Sequence, residues 1–185
     1  FEKLERLMEE YRIDVHNNIP FISGAIGYFS YDIGRILEEL PDNSKEDFDI
    51  PDSIFIFFDN LIIFDLHNKK TYITAVGQLQ DPLSSISDLE KSLENYFEET
   101  PMKLEKSNNI FFSNFNKEEY EKSVALLKEY IRSGDVYIAN MTRRIWCNNE
   151  EDSYNIYKKL RNINKAPFSA YMNFKDFQVI SSSPE

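Results

Sequence analysis

Residues 134–144 read GDVYIANMTRR and lie within the most strand-like part of the chain. Residues 136–146 are rich in β-branched and aromatic residues, which are typical of a β-strand, and successive side chains of a strand point to opposite faces. We predict one long strand over 136–146. On that strand, Asn140, Thr142 and Arg144 would share a face.

Arg143 and Arg144 form a cationic spot on this predicted strand, in a chain whose formal net charge is −11. The guanidinium group is the side chain best suited to binding a carboxylate through two hydrogen bonds. Asn140, Thr142 and Arg144 are therefore candidates to line an anion site. A strand exposed to solvent would show the same alternation, so the residues alone leave pocket and surface equally open.

Helical signals flank this strand. Asn116 and Glu119 have the spacing of a capping box at a helix start, and Gly134 follows the apolar stripe where a C-cap glycine belongs. Beyond the strand, residues 151–161 predict a short helix. Two further strands over 167–174 and 177–183, joined by a turn at Lys175 and Asp176, predict a hairpin.

The first hundred residues alternate less regularly between helix and strand. Apolar spacing predicts helices over 1–11, 30–38 and 86–97, the last with Ser87 and Glu90 as its capping box, and strands over 21–29, 54–58, 61–64 and 71–74, the last three as an antiparallel meander. Residues 100–114 form a linker candidate. The whole order predicts an α+β fold with largely antiparallel sheets and outer helices, in one domain over 1–185.

Composition narrows the class of protein. The 185 residues are 42% hydrophobic and include 15 Phe and 11 Tyr, which is a globular composition. The net negative charge repels phosphate backbones, so nucleic acid is an unfavourable partner. Cys147 is the only cysteine, which excludes an intrachain disulfide, and no apolar run approaches the roughly 20 residues that span a membrane. We expect a trimmed fragment of a longer cytoplasmic protein.

The chain offers few groups for catalysis. His16 and His67 have no Cys, His or carboxylate partner at metal-ligand spacing, so no metal site is predicted. Cys147 has no signature of a nucleophile. Gly24 and Gly27 lack the helix and the Lys-Ser/Thr step of a phosphate loop, so their spacing predicts close backbone packing in a sheet.

Four colinear stretches carry a family resemblance: SGAIGYFSYDIGR with LEELP over 23–41, GDVYIANMTRR over 134–144, NKAPFSAY over 164–171, and SSPE over 182–185. Together they resemble the component I family of anthranilate and aminodeoxychorismate synthases. The resemblance implies the N-terminal part of that fold, with two stacked antiparallel sheets and helices outside.

The family's chemistry is the addition of ammonia to chorismate with Mg²⁺ bound, and a glutamine amidotransferase partner delivers the ammonia. Two motifs, YDIGR over 31–35 and Ala139-Asn140-x-Thr142, resemble the aminodeoxychorismate branch. That branch feeds p-aminobenzoate and folate synthesis. Anthranilate synthase component I is the alternative within the family. A stand-alone tryptophan-binding regulatory domain, or an amidotransferase-docking domain, is the alternative of another class.

The resemblance also implies an effector site, because the family's segment at 164–171 borders a tryptophan pocket. By match, the residues that would line it are Asn164, Ala166, Pro167, Phe168 and Ser169. Lys165 stands where the family usually has proline, and Ile138 where it has glutamine. The family's catalytic and Mg²⁺-binding carboxylates lie beyond the residue that matches Glu185. We therefore expect no catalytic residue and no Mg²⁺ ligand in this chain, and an inert fragment.

Overall fold

A computed structural model describes residues 1–14, 19, 21–41, 48–95 and 108–185. The chain divides into two compact units, Phe1–Thr100 and Pro101–Glu185. Each unit is considered by itself, and the single domain over 1–185 stays a prediction. His16, the last residues of the predicted helix 86–97, and linker residues 100–107 lie outside the described residues.

The first unit combines helices with two short β-ribbons. Its elements are α1 (Glu2–Glu10), β1 (Gly24–Phe29), a 3₁₀ turn (Tyr31–Ile33), α2 (Gly34–Leu37), β2 (Ser53–Phe58), β3 (Asn60–Asp65), β4 (Lys70–Ala75) and α3 (Pro82–Glu94).

The second unit has the same mixed character. Its elements are β5 (Phe112–Ser113), α4 (Lys117–Ser133), β6 (Ile145–Trp146), α5 (Ser153–Ile163), β7 (Phe168–Asn173) and β8 (Gln178–Ser183). All strand pairs in the described part of the chain are antiparallel. The predicted α+β class is confirmed.

Strand pairing in the first unit differs from the predicted meander. β2 pairs with β1, and β3 pairs with β4, so the three consecutive strands do not form one sheet. Only Asp59 separates β2 from β3, whereas a hairpin reversal uses a loop of at least two residues. The chain therefore passes from one ribbon directly into the next. The predicted meander is wrong at β2 and β3, whereas its antiparallel pairing of β3 with β4 is confirmed.

Gly27 lies where the two strands of the first ribbon come closest. A Cβ atom on Gly27 would lie 1.8 Å from the carbonyl oxygen of Ile54, so no larger residue fits without moving the backbone. Gly24 has a positive φ of 135°, which glycine adopts without strain. Both glycines serve the ribbon itself, in agreement with close backbone packing.

The carboxylate of Asp59 fixes the segment that leads into α3. It accepts hydrogen bonds from the backbone N–H groups of Gln78 at 2.7 Å and Leu79 at 3.2 Å. Desolvation raises the pKa of Asp59, but the N–H groups of residues 77–80 together outweigh it and hold the pKa below its ordinary value. One ionised side chain thereby orders a loop that has no strand or helix of its own.

Helix α3 begins at Pro82, so the predicted start near 86 and the capping box of Ser87 and Glu90 are wrong. Asp81 is the N-cap, and its carboxylate accepts from the backbone N–H of Ser84 at 2.9 Å. Asp at the N-cap followed by Pro at N1 is a stronger start signal than the later pair.

Ser85 attaches α3 to the second ribbon. Its side chain is 2% exposed, and the amide of Asn60 donates to its hydroxyl at 2.6 Å. Because Asn60 opens β3, this hydrogen bond joins the helix to the ribbon at one defined point.

The second unit contains the most accurately predicted helix. Asn116 accepts from the N–H of Glu119, and the Glu119 carboxylate accepts from the N–H of Asn116, so both halves of the capping box form at the start of α4. Gly134 ends the helix with a φ of 86°, as predicted. Helix α5 and the β7–β8 hairpin are likewise confirmed within two residues.

The predicted strand over 136–146 is wrong over most of its length. Only Ile145 and Trp146 form a strand, and they pair with Ser113 and Phe112. The partner strand cannot extend further in that direction because the cap of α4 begins at Asn116. In the part of the chain that the structure describes, residues 136–144 consequently lie outside any strand.

Gly134→Ala is expected to lower the free energy of unfolding by about 1–2 kcal/mol, because alanine is strained at positive φ. No atom lies within 4 Å of the Cβ that alanine would add, so the cost comes from the backbone alone. Gly34→Ala is the matched control, since Gly34 has a helical φ of −54° and should tolerate alanine without loss. Urea unfolding of the two variants checks this, and equal losses would contradict it.

Candidate functional site

The candidate effector residues lie in one loop between α5 and β7. Asn164 is the C-cap of α5, and its N–H donates to the carbonyl of Leu160 at 2.8 Å. Strand β7 begins four residues later, at Phe168. The structure therefore brings together all five of the predicted residues, namely Asn164, Ala166, Pro167, Phe168 and Ser169.

Hydrogen bonds within this loop fix its shape. The carbonyl of Ala166 accepts from the Ser169 hydroxyl at 2.8 Å and from the Ser169 N–H at 3.3 Å. The carbonyl of Asn164 accepts from the Ala166 N–H at 2.9 Å and from the Ser182 hydroxyl at 3.3 Å. Because Ser182 lies on β8, the loop is attached to the hairpin as well as to α5.

The side chains of the loop differ in what they can offer to a ligand. Ser169 and Ala166 are half-buried, and the Ser169 hydroxyl is already bonded within the loop. Phe168 is 63% exposed and presents its ring to solvent at the start of β7. An aromatic ring held on a rigid backbone can stack against another ring, so Phe168 is the group best placed for an aromatic ligand.

A cluster of tyrosines beside this loop has no counterpart in the sequence-based predictions. Tyr154 and Tyr157 of α5 pack against Tyr171 of β7, with ring centroids 5.3 and 5.6 Å from that of Tyr171. The hydroxyl groups of Tyr171 and Ser153 are 2.9 Å apart. The cluster holds α5 on the hairpin. Tyr154 and Tyr157 are three residues apart on α5, whereas Tyr171 lies on β7, and no spacing along the chain predicts that Tyr171 meets the other two.

The candidate anion-site residues have a different setting. Asn140, Thr142 and Arg144 are all exposed, and residues 136–144 do not form the strand whose alternation would align the three side chains. The guanidinium of Arg144 lies 5.4 Å from the centre of the Trp146 ring, a cation–π contact. The aligned polar face is thus not formed, and the prediction based on strand alternation is corrected.

Arg143, the other half of the cationic spot, lies over helix α4. Its guanidinium is 5.9 Å from the centre of the Tyr120 ring, and the Tyr120 hydroxyl donates to the carbonyl of Met141 at 3.1 Å. The two adjacent arginines therefore contact two different aromatic rings and do not converge on one point.

The YDIGR stretch forms a tight structural motif in the first unit. The Nε atom of Arg35 donates to the Asp32 carboxylate at 2.8 Å, and its Nη1 atom donates to the carbonyl of Pro41 at 2.8 Å. Ser30 caps the 3₁₀ turn by accepting from the Asp32 N–H. Asp32 and Arg35 thus fold the turn and α2 onto the following chain. Tyr31, which precedes Asp32, is 98% exposed.

No metal centre forms among the residues that the structure describes, because nowhere among them do three or more His, Cys, Asp or Glu side chains come together. Asp59 and Asp81 are bonded to backbone N–H groups. Cys147 is half-buried, with the amide nitrogen of Asn109 3.9 Å from its sulfur. The described residues therefore do not fit an Mg²⁺ site. Within the same ranges, the helices are too short or too polar to cross a bilayer.

Comparison with protein families gives a match over nearly the whole chain. The model of the family described as chorismate binding enzyme matches residues 2–185. The chain belongs to the chorismate binding enzyme family. The resemblance seen in the four motif stretches is confirmed at this level.

Curated relatives within the chorismate binding enzyme family carry two names. Anthranilate synthase component 1 of Acetivibrio thermocellus is 32% identical over 183 residues, covering 91% of this chain and 37% of the relative. Aminodeoxychorismate synthase component 1 of Bacillus subtilis (strain 168) is 31% identical over 176 residues, covering 92% of this chain and 37% of the relative. The chain spans well under half the length of these relatives.

A solved structure gives the same fold. Anthranilate synthase component I from Streptococcus pneumoniae TIGR4 superposes with a TM-score of 0.81 at 22% identity, covering 100% of this chain and 43% of that chain. At this identity the likeness establishes the fold alone. The predicted placement of the chain within the component I fold is confirmed.

Ser169→Ala is expected to lower the free energy of unfolding by about 0.5–1.5 kcal/mol, because the hydroxyl bond to the Ala166 carbonyl is lost. Phe168→Ala is the comparison variant, and it should cost less than Ser169→Ala because most of the ring is already in water. Chemical denaturation of both variants measures the difference. A larger loss for Phe168→Ala would show that the ring is part of the packing.

Proposed function

We propose that the intact protein aminates chorismate to 4-amino-4-deoxychorismate, as an aminodeoxychorismate synthase component I. The observation that carries the proposal is the match of the chorismate binding enzyme model to residues 2–185. The choice of branch rests on the sequence of residues 31–35 and on the motif Ala139-Asn140-x-Thr142. Anthranilate synthase component I is the alternative, and relatives with that name match equally well.

The role of this chain in the proposed reaction is that of a scaffold. Its described carboxylates at Asp32, Asp59 and Asp81 are bonded to an arginine or to backbone N–H groups that fold the chain. Mg²⁺, when bound, would neutralise the carboxylates of chorismate. Since the described residues do not fit such a site, the proposal places the Mg²⁺ ligands and the reacting groups in the remainder of the intact protein.

The partner in this proposal is a glutamine amidotransferase that supplies ammonia. Its support is the name "component 1", which the curated relatives carry and which implies a second component. Free ammonia replaces that partner in a test of the amination step itself, so the two parts of the proposal can be examined separately.

We expect the intact protein, given chorismate, ammonium and Mg²⁺, to form 4-amino-4-deoxychorismate, detected by mass spectrometry of the products. The 185-residue chain under the same conditions should leave chorismate unchanged. Anthranilate as the product would establish the alternative branch. Turnover by the 185-residue chain would contradict the scaffold role, and no amination by the intact protein under any of these conditions would overturn the proposal.

A second candidate function is the binding of tryptophan or a similar aromatic amino acid at the loop over 164–169. The observation that favours it is the exposed ring of Phe168 on a loop closed by its own hydrogen bonds. Such a loop loses little conformational freedom when a ligand stacks on it, so less of the binding free energy is spent on ordering. Lys165, exposed in the same loop, is the cation that would pair with the carboxylate of the amino acid.

Tryptophan at millimolar concentration is expected to raise the melting temperature of the protein in a saturable manner, because a ligand that binds only the native state stabilises it. Phe168→Ala should abolish the rise while leaving the melting temperature without ligand nearly unchanged. Isoleucine serves as the non-aromatic control ligand. A rise that persists in Phe168→Ala, or that isoleucine also produces, would count against this site.

A further inference from the structure

Asp59 binds the loop that precedes α3 with all three of its oxygen atoms. One carboxylate oxygen accepts a hydrogen bond from the N–H of Gln78 at 2.7 Å, and the other accepts from the N–H of Leu79 at 3.2 Å. The backbone carbonyl of Asp59 accepts from the N–H of Val76 at 2.9 Å. The single residue between β2 and β3 therefore holds a continuous stretch of the following chain.

The backbone of residues 77–80 has the form of an anion site. Successive N–H groups that point to one place make a concave surface that attracts negative charge, and two such groups bond the two oxygens of the Asp59 carboxylate. The turn starts at Gly77, whose φ is 90°. A Cβ atom there would lie 2.8 Å from the Cγ atom of Pro82, so the site packs directly against the first residue of α3.

Helix α3 is tied to this loop and to the start of β3. The side chain of Gln80 donates to the carboxylate of Asp88 at 3.2 Å, which joins the loop to the helix. Asn60, the residue after Asp59, donates to the buried hydroxyl of Ser85 at 2.6 Å. The contacts of Asp59 and Asn60 thus hold the same end of the helix, and they come from adjacent residues.

The anion site is open to solvent and has no help from the charges at the helix start. Asp59 is half-buried, and residues 77–80 are exposed. The charged residues at the cap and in the first two turns of α3 are Asp81 and Asp88, which repel a carboxylate. The attraction for the Asp59 carboxylate consequently comes from the backbone N–H groups, and a small anion has access to them once the side chain is removed.

We propose that residues 77–80 form a carboxylate-binding site whose resident ligand is the Asp59 side chain, and that filling this site keeps α3 attached to the second ribbon. With the site filled, the loop and α3 have the observed structure. With the site empty, residues 77–94 open together while the first ribbon stays folded. A free carboxylate as small as formate fills the emptied site and restores the attachment.

Hydrogen exchange of the 185-residue chain tests this proposal. In Asp59→Ala, we expect the protected amides of residues 77–94 to exchange about 10- to 100-fold faster, because two hydrogen bonds to an ionised group are lost. The amides of Gly24–Phe29 should keep the rates of the unmodified chain. Formate at about 0.1 M should restore most of the protection, because a ligand that binds only the closed form stabilises it. Chloride at the same concentration is the control for ionic strength and should have no effect.

Two further variants separate the carboxylate from other effects of substitution. Asp59→Asn keeps the shape of the side chain but turns an NH₂ group toward one of the two N–H donors. We expect faster exchange over residues 77–94 and no effect of formate, since the amide occupies the site. Asp65→Ala is the matched control at the other end of β3, where the carboxylate bonds only Asn68, at 2.9 Å to its N–H and 2.7 Å to its side chain. It should leave exchange over residues 77–94 unchanged.

Three results would each overturn the proposal. Unmodified exchange over residues 77–94 in both Asp59 variants would show that α3 does not depend on the carboxylate. Formate without effect on Asp59→Ala would show that residues 77–80 bind no free carboxylate. Exchange that rises equally over Gly24–Phe29 would show that Asp59 supports the unit as a whole. The measurements do not depend on the reaction that the intact protein catalyses.

Discussion

The described part of the structure depends on one constraint, which is that each sheet has two strands. Every strand then uses one edge for pairing and leaves its other edge without a strand partner among the described residues. Two-stranded ribbons cover little apolar surface by themselves. Phe174, at 5% exposed, is accordingly the one buried apolar side chain in these ranges. Helices and polar side chains have to hold the ribbons in place.

Polar side chains at the junctions between elements help to hold the ribbons in place. The Thr74 hydroxyl on β4 donates to the carbonyl of Ile22, just before β1, at 2.7 Å and so links the second ribbon to the first. Within the first ribbon, the Ser23 hydroxyl donates to the carbonyl of Phe58 at 2.7 Å. Asp59 orders the chain between the second ribbon and α3. Hydroxyls and carboxylates used in this way fix the backbone at the junctions between elements.

The features that the sequence predicted well are local ones. The capping box of Asn116 and Glu119, the glycine at 134 and the hairpin over 168–183 each depend on residues a few positions apart, so their geometry follows from short-range chemistry. The effector-loop residues could be placed together for the same reason, since they are neighbours in sequence. Their exposure could not be predicted, because it depends on Ser182 and on how α5 packs on the hairpin.

The features that failed depend on distant partners. Ser53–Phe58 has the composition of a strand, but nothing within it indicates that β1 and not β3 is its neighbour. Residues 136–144 have an equally good strand composition but belong to no strand in the described part of the chain. The polar face of Asn140, Thr142 and Arg144 fails with it, because the alternation of side chains requires the strand to exist. Pairing is a property of two segments, and composition describes only one.

The close approach at Gly27 also determines how the first ribbon aligns. In the observed register Gly27 lies opposite Phe55, and the carbonyl of Ile54 occupies the space where a side chain would be. A slip of one residue would place Ile26 or the bulky Tyr28 at that carbonyl. It would also turn every side chain of the strand to the opposite face. The absence of a Cβ atom at position 27 thus favours the observed register of the two strands over the registers shifted by one residue.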